Sequence, residues 1–271
     1  DGRLSSRFSK GSSTVEWLRA NFHGPDLRDT VYVTANHQVE RNRDGWDIDL
    51  HETINVWLED GWNEETGTVR AETMTETAIK AHGRFPDKRI VVHYMQPHYP
   101  FVSSDTTVDK SHLSQIGGDG ESPEGENIWN QKFTGELSLS QNDLWSMYVD
   151  NLKYVLKHVA NLLDNISGNI VVTADHGNYV GERASPLPIC EYGHTRGLYD
   201  DAVIRVPWLV HEANGRRKIV AGSGEETVTI SNLTLSPSDY EISDMKTRGR
   251  EPDVLCAHGL RPHRHNSVQV I

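Results

Sequence analysis

The sequence predicts an α/β protein, a mostly parallel sheet flanked by helices on both faces. Two observations carry this. The apolar runs "IVVHYM", "NIVVTA" and "VIRVPWLV" have the length of buried strands. Stretches of helical character stand between them, and strands alternating with helices build a sheet covered on both sides.

The first helix is expected at "STVEWLRANF", where the Ser/Thr group supplies an N-cap and Glu16 falls three residues after Ser13, as in a capping box. A strand follows at "TVYVTAN". Residues 65–83 have helical propensity and end at "HGRFPDK", where glycine and proline stop the helix. The next strand, "RIVVHYMQPHYPF", is interrupted by Pro97 and Pro100. Residues 103–139, rich in Ser, Gly, Asp and Glu, have no sustained period and read as a loop or lid excursion. The clearest helix runs from Ser140 to Ile166, with Leu144, Met147, Val155, Leu156, Val159, Leu162 and Leu163 at three- and four-residue steps. "NIVVTA" is then a strand, a polar loop reaches to about residue 199, and "DAVIRVPWLV" closes the domain. Residues 222–271 lack either period and are expected to form a weakly ordered tail after a domain of residues 1–221.

The 271 residues are 36% apolar, enough for one large α/β core, and no apolar run approaches the roughly 20 residues that cross a bilayer. A formal charge of −12 leaves no broad basic face for a phosphate backbone, so a nucleic-acid partner is not expected. Cys190 and Cys256 do not make a disulfide framework, and no basic-then-apolar leader follows Asp1. A cytoplasmic protein, or a fragment or processed product, is the expectation.

Ligand crevices in open α/β sheets lie beyond the carboxyl ends of the strands. Asp175 and His176 follow "IVVTA" directly, His98 follows "IVVHYMQP", and His194 arrives in "EYGHTRG" close enough to fold back over the same edge. Carboxylate oxygen and neutral imidazole nitrogen are ligands for zinc, manganese or a similar divalent ion, and Gly177 permits the sharp turn by which adjacent ligands share one. An Asp-His-Gly after a strand also serves as a plain polar turn, its acid capping the next amides.

The longer context resembles the alkaline phosphatase superfamily, and within it the sulfatase-like hydrolases. Three segments carry the likeness: "MYVDNLKYVLKHVANLLDNISGNIVVTADHGNYVGER", "VVHYMQPHYPF" and "YGHTRGLYDDAVIRVPWLV". They cover roughly residues 89–101 and 145–210 in the family's order. The resemblance implies a divalent metal ion (Zn, Mn, Mg or Ca) bound by Asp175 and His176, with His194 a further ligand of metal or substrate oxygen. It implies that His98 touches the transferred group or leaving oxygen. Gln96 stands where many relatives have an acid. Neither cysteine lies in the run that formylglycine sulfatases require, so the nucleophile is expected among the hydroxyls of "SKGSSTVEWL", at the amino end of a helix where an anion is favoured. Ser12 is the first choice, Ser13 the second and Thr14 the third, and simple N-capping explains the same residues.

The family's first strand ends in a metal-binding acid ahead of the nucleophile, and this chain begins too late to hold it. Asp47, Asp49 and His51 in "DGWDIDLHET" are possible substitutes, but a solvated turn is the stronger reading. The function implied is a metal-dependent hydrolase or transferase of phosphate esters, with sulfate second, using a Ser nucleophile and a covalent intermediate. Substrates would be small-molecule, glycan or lipid esters. The alternatives are a catalytically impaired fold that binds an anionic ligand, and a phosphomutase like the cofactor-independent phosphoglycerate mutases, which share "TADHGN".

Overall fold

The fold comes from a computed structural model that describes residues 2–58, 61–102, 128–186, 189–212, 217–221 and 267–270. In chain order the elements are β1 (Arg3–Phe8), α1 (Thr14–Phe22), β2 (Asp26–Thr34), α2 (Gln38–Arg41), β3 (Asp49–Asn55), β4 (Trp62–Asn63), β5 (Thr68–Val69), α3 (Ala71–Arg84), β6 (Arg89–His93), α4 (Ile128–Thr134), α5 (Gln141–Asn165), β7 (Asn169–Thr173), β8 (Tyr179–Arg183), β9 (Cys190–Gly193), α6 (Asp201–Ile204), β10 (Arg205–His211) and β11 (Ser267–Val270). Seven strands form one sheet in the order β1-β10-β7-β11-β6-β2-β3. From β7 to β3 every pairing is parallel, while β10 runs antiparallel to both β7 and β1.

The apolar strands bury both faces, as a parallel sheet requires. Val31, Val33, Ile90, Val92 and Ile170 share a core with Met74 and Ala78 of α3 and with Val155, Val159 and Leu162 of α5. The alternate residues Tyr32 and Val91 pack on the opposite side against Leu18 and Phe22 of α1 and Val39 of α2. The period of two in the strands thus meets one helix layer on each face. Leu18, Val31, Ile90, Leu162 and Ile170 are fully or almost fully buried, each worth about 1.5–3 kcal/mol relative to exposure. Helix α5 starts at a capping box: the Asp143 N–H donates to Ser140 Oγ at 3.1 Å, and the Ser140 N–H donates to Asp143 Oδ2 at 3.3 Å.

Several expectations need correction. Helix α3 begins at Ala71 rather than 65, because Thr68–Val69 pairs with Trp62–Asn63 as a short ribbon. The 103–139 excursion contains α4, whose Ile128 and Trp129 are buried with Tyr99, Phe101 and Leu144; residues 103–127 lie outside the described residues. The polar stretch before residue 199 includes the β8–β9 hairpin. Of the tail, Ser267–Val270 forms β11 in the middle of the sheet, parallel to β6 and β7, because its short alternating run finds two strand edges there. The rest of 222–271 is outside the described residues. "DGWDIDLHET" is no free turn, since Asp49–Asn55 is the edge strand β3. Among the described residues no helix is long and apolar enough to cross a membrane.

Candidate active site

Register brings the site's strands to one edge. Val270 pairs with both Val92 and Val172, and Thr34 pairs with His93, so the carboxyl ends of β2, β6 and β7 lie along one edge, with β11 between β6 and β7. His93 is the last residue of β6, and two residues beyond β7 come Asp175 and His176. The loop before α1 is tied to this edge, for Ser9 Oγ donates to the Asp175 carbonyl. The Gly177 N–H donates to the Val203 carbonyl at 2.5 Å. Gly177 is needed for space rather than for an unusual dihedral, since a Cβ there would stand 2.2 Å from the Ala202 carbonyl oxygen.

The centre is a triangle of three polar atoms. Thr14 Oγ1 donates to Asp175 Oδ2 at 2.7 Å and lies 3.2 Å from His176 Nε2, and His176 Nε2 is 3.4 Å from Asp175 Oδ2. His176 Nδ1 is 2.7 Å from the Gly177 carbonyl, which can only accept, so Nδ1 carries a proton and Nε2 faces Thr14 and Asp175. Burial by itself raises the Asp175 pKa, but His176, His93, the Thr14 hydroxyl and His194 outweigh it and hold the carboxyl at about 2. Asp175 is therefore a fixed negative charge and a weak base.

Behind it stands a buried chain that sequence reasoning did not single out. Tyr32 Oη lies 2.6 Å from His93 Nδ1 and accepts from Thr34 Oγ1 at 3.2 Å. Burial raises the Tyr32 pKa, keeping it a phenol, and burial lowers that of His93 despite Asp175, keeping it neutral. The phenol then donates to Nδ1, which leaves the proton on Nε2, 3.7 Å from Asp175 Oδ2. His93 backs the carboxylate; it does not offer a free ligand nitrogen. The signal available was the imidazole at the very end of "RIVVH".

On the other side His98 Nε2 and His194 Nε2 are 3.1 Å apart. His98 Nδ1 donates to the Tyr99 carbonyl at 2.6 Å, so the proton between the two rings belongs to His194 Nε2, and His194 Nδ1 is buried without a hydrogen-bond partner. Burial, then His176 and His98, push the His194 pKa well below its ordinary value. The His176 and His194 ring centroids are 4.3 Å apart, which joins this pair to the triangle. Asn151 of α5, fully buried, holds the His98 loop: its amide donates to the carbonyls of Pro97, His98 and Pro100 and accepts from the Val102 N–H. A buried asparagine amid an apolar stripe was the sequence signal for it.

Of the three hydroxyls, the structure brings only Thr14 into the triangle. Ser12 is fully buried; its Oγ donates to Glu16 Oε2 at 2.8 Å and accepts from the Gly197 N–H at 2.9 Å. Ser13 is the N-cap of α1, its Oγ accepting from the Glu16 N–H. The preference for Ser12 and Ser13 counted residues from Glu16, but the helix starts at Thr14, which turns that side chain to the strand edge. The Gln96 amide donates to the Val69 carbonyl at 3.0 Å. Asp49 begins β3 beside Asp26, the first residue of β2, so the Asp47–His51 group lies at the opposite, amino edge of the sheet.

Among the described residues, no three or more His, Cys, Asp or Glu side chains are grouped so as to hold a metal ion. The donor chemistry nonetheless suits one in part. The ionised Asp175 Oδ2 and His176 Nε2 are 3.4 Å apart, and donors at about 2.1 Å around a tetrahedral ion stand about 3.4 Å from one another. The third corner is the Thr14 hydroxyl. His194, expected as a ligand of metal or substrate oxygen, stands beside this corner with its Nε2 3.1 Å from His98 Nε2. The sequence matches no protein-family model and no curated protein.

Proposed function

We propose that the chain is a metal-dependent hydrolase or transferase of phosphate esters, with sulfate esters the second class, in which Thr14 is the nucleophile. The single observation that carries this is Thr14 Oγ1 lying 2.7 Å from Asp175 Oδ2 and 3.2 Å from His176 Nε2. The sequence likeness to sulfatase-like hydrolases supports the same reading. Asp175 and His176 would hold a divalent ion, which when bound lowers the pKa of a hydroxyl and offsets charge on the transferred group.

The chain's own residues supply the rest. Asp175 fixes the Thr14 rotamer through its hydrogen bond, aiming the oxygen into the cavity. Thr14 and Val15 open α1, and the first N–H groups of a helix have no intrahelical acceptor, so an anion placed there is favoured. Attack by Thr14 Oγ1 on the phosphorus breaks the bond to the departing ester oxygen and forms a phosphothreonine, and the hydroxyl proton leaves to solvent. His98 and His194 line the same cavity with their Nε2 atoms 3.1 Å apart, and a proton taken up by this imidazole pair suits the departing oxygen. Water or an acceptor alcohol then releases the phosphoryl group, and Thr14 regains its proton.

The test is turnover of 4-nitrophenyl phosphate and bis(4-nitrophenyl) phosphate with added divalent ions, by the wild type, Thr14→Ser and Thr14→Val. Loss in the valine variant, partial retention in the serine variant, and an acid-trapped phosphoryl group on the peptide containing Thr14 are expected. Undiminished turnover in Thr14→Val overturns the reading. A second reading, anion binding without turnover, is favoured by one observation: among the described residues only two ionisable donors, Asp175 and His176, stand at the triangle. It predicts phosphate binding with no product from either ester.

A further inference from the structure

The cavity that ends at Thr14 continues well past the polar residues. It is about 470 Å³, and the same cavity takes in Thr14, Asp175 and His176 together with a stripe of α5, Leu152, Val155, Leu156 and Val159. Val172 of β7 and Val206 of β10 also line it. Leu152 and Leu156, one helical turn apart, are 36% and 46% exposed, unlike Val155, Val159 and Leu162 beside them, which are buried. From Tyr148, another lining residue, to Val159 the helix advances about 16 Å at about 1.5 Å per residue. Polar lining comes from Asn36, Gln38, Arg41, Thr173, Asn178 and Arg205, whereas α5 from Leu152 to Val159 contributes aliphatic side chains alone.

We propose that the ester handled at Thr14 carries a hydrocarbon chain, and that the α5 stripe with Val172 and Val206 binds it. The substrate class is then an amphiphilic phosphate or sulfate ester of a long-chain alcohol. This rests on the reading of Thr14 as the nucleophile. Continuity chooses the occupant: an anion seated at the helix start and the Asp175–His176 corner shares its cavity with the α5 wall, which offers the esterified group an aliphatic surface. A sugar or glycerol group would set hydroxyls against Leu152, Leu156, Val172 and Val206, none of which has a hydrogen-bonding side chain, and would lose its hydration without replacement. A hydrocarbon chain gains from the same contact, and a wall elongated along a helix suits a linear group.

The experiment is calorimetric titration of the whole chain, with zinc or manganese present, by non-hydrolysable alkylphosphonates of increasing chain length. Turnover of the matching 4-nitrophenyl alkyl phosphodiesters is measured in parallel. Affinity is expected to rise about two- to fourfold per added methylene, and this slope, read within each protein, is expected to flatten in Leu152→Glu and in Leu156→Glu. Both positions are already half-exposed, so two independent variants guard against a folding failure in one. A flat series in which every phosphonate binds equally overturns the proposal, whatever else fills the wall, and leaves Thr14's role standing. A chain-length slope with no turnover of any ester keeps the chain site and overturns the nucleophile. Failure of every phosphonate to bind overturns both.

Discussion

The molecule holds two groups built from the same residue types, aspartate and histidine, one at each edge of the sheet. Asp175, His176, His98 and His194 meet at the carboxyl edge; Asp47, Asp49 and His51 lie at the amino edge of β3. The side chain of Asp175 is 13% exposed and that of Asp49 is 53% exposed. Asp175 is surrounded by imidazoles and a hydroxyl that shift its titration, whereas Asp49 meets Arg28 at 3.4 Å in a solvated pair and His51 stands edge-on to Phe85. What separates them is convergence: three strand ends and a helix start deliver the first group to one point, while the second strings out along a single edge strand. Identical side chains gain chemistry only where the backbone brings several together and removes their water.

The largest effect should come from breaking the buried group. Asp175→Asn removes the charge that orients Thr14 and balances the imidazoles, and ester turnover is expected to fall by about 10²–10⁴-fold. Asp49→Asn, the matched change at the other edge, should leave turnover unaltered; equal losses in the two variants, measured side by side, would dissolve the distinction.

Next in size is Asn151→Leu. It strands the carbonyls of Pro97, His98 and Pro100 and the Val102 N–H, costing about 1–3 kcal/mol of stability by urea unfolding. With His98 no longer held, turnover should drop by up to about 100-fold. A stable variant with full activity would show that this loop does not depend on the asparagine.

A pH effect follows from the buried rings. Burial lowers the pKa of His93, and burial with His176 and His98 lowers that of His194, so the unfolded chain takes up protons that the folded chain refuses. The stability these rings contribute is fully present above their ordinary value of 6.5 and is lost as pH falls below it. In chelator, the urea midpoint should decline between about pH 7 and pH 5, and His194→Gln should reduce that slope. A midpoint flat over this range contradicts the assignment. The smallest effect is expected at Asp49 itself: its pair with Arg28 is solvated on both sides, so the unfolding midpoint of Asp49→Asn should stay almost where it is in the wild type.

By itself the sequence determined the elements whose signal is local. The period of α5, the apolar runs of β2, β6 and β7, and the placement of Asp175, His176 and His98 just past strand ends are all written in neighbouring residues, because helix and strand periodicity is a short-range consequence of burying one side of an element. Tertiary structure alone decided which hydroxyl meets the carboxylate, since Ser12, Ser13 and Thr14 differ only in rotation about a helix start. It decided that His93, with Tyr32 behind it, backs Asp175, that His194 pairs with His98, and that Ser267–Val270 enters the centre of the sheet. Those contacts join residues far apart in the chain, and no local pattern encodes a distance between two points that only folding brings together.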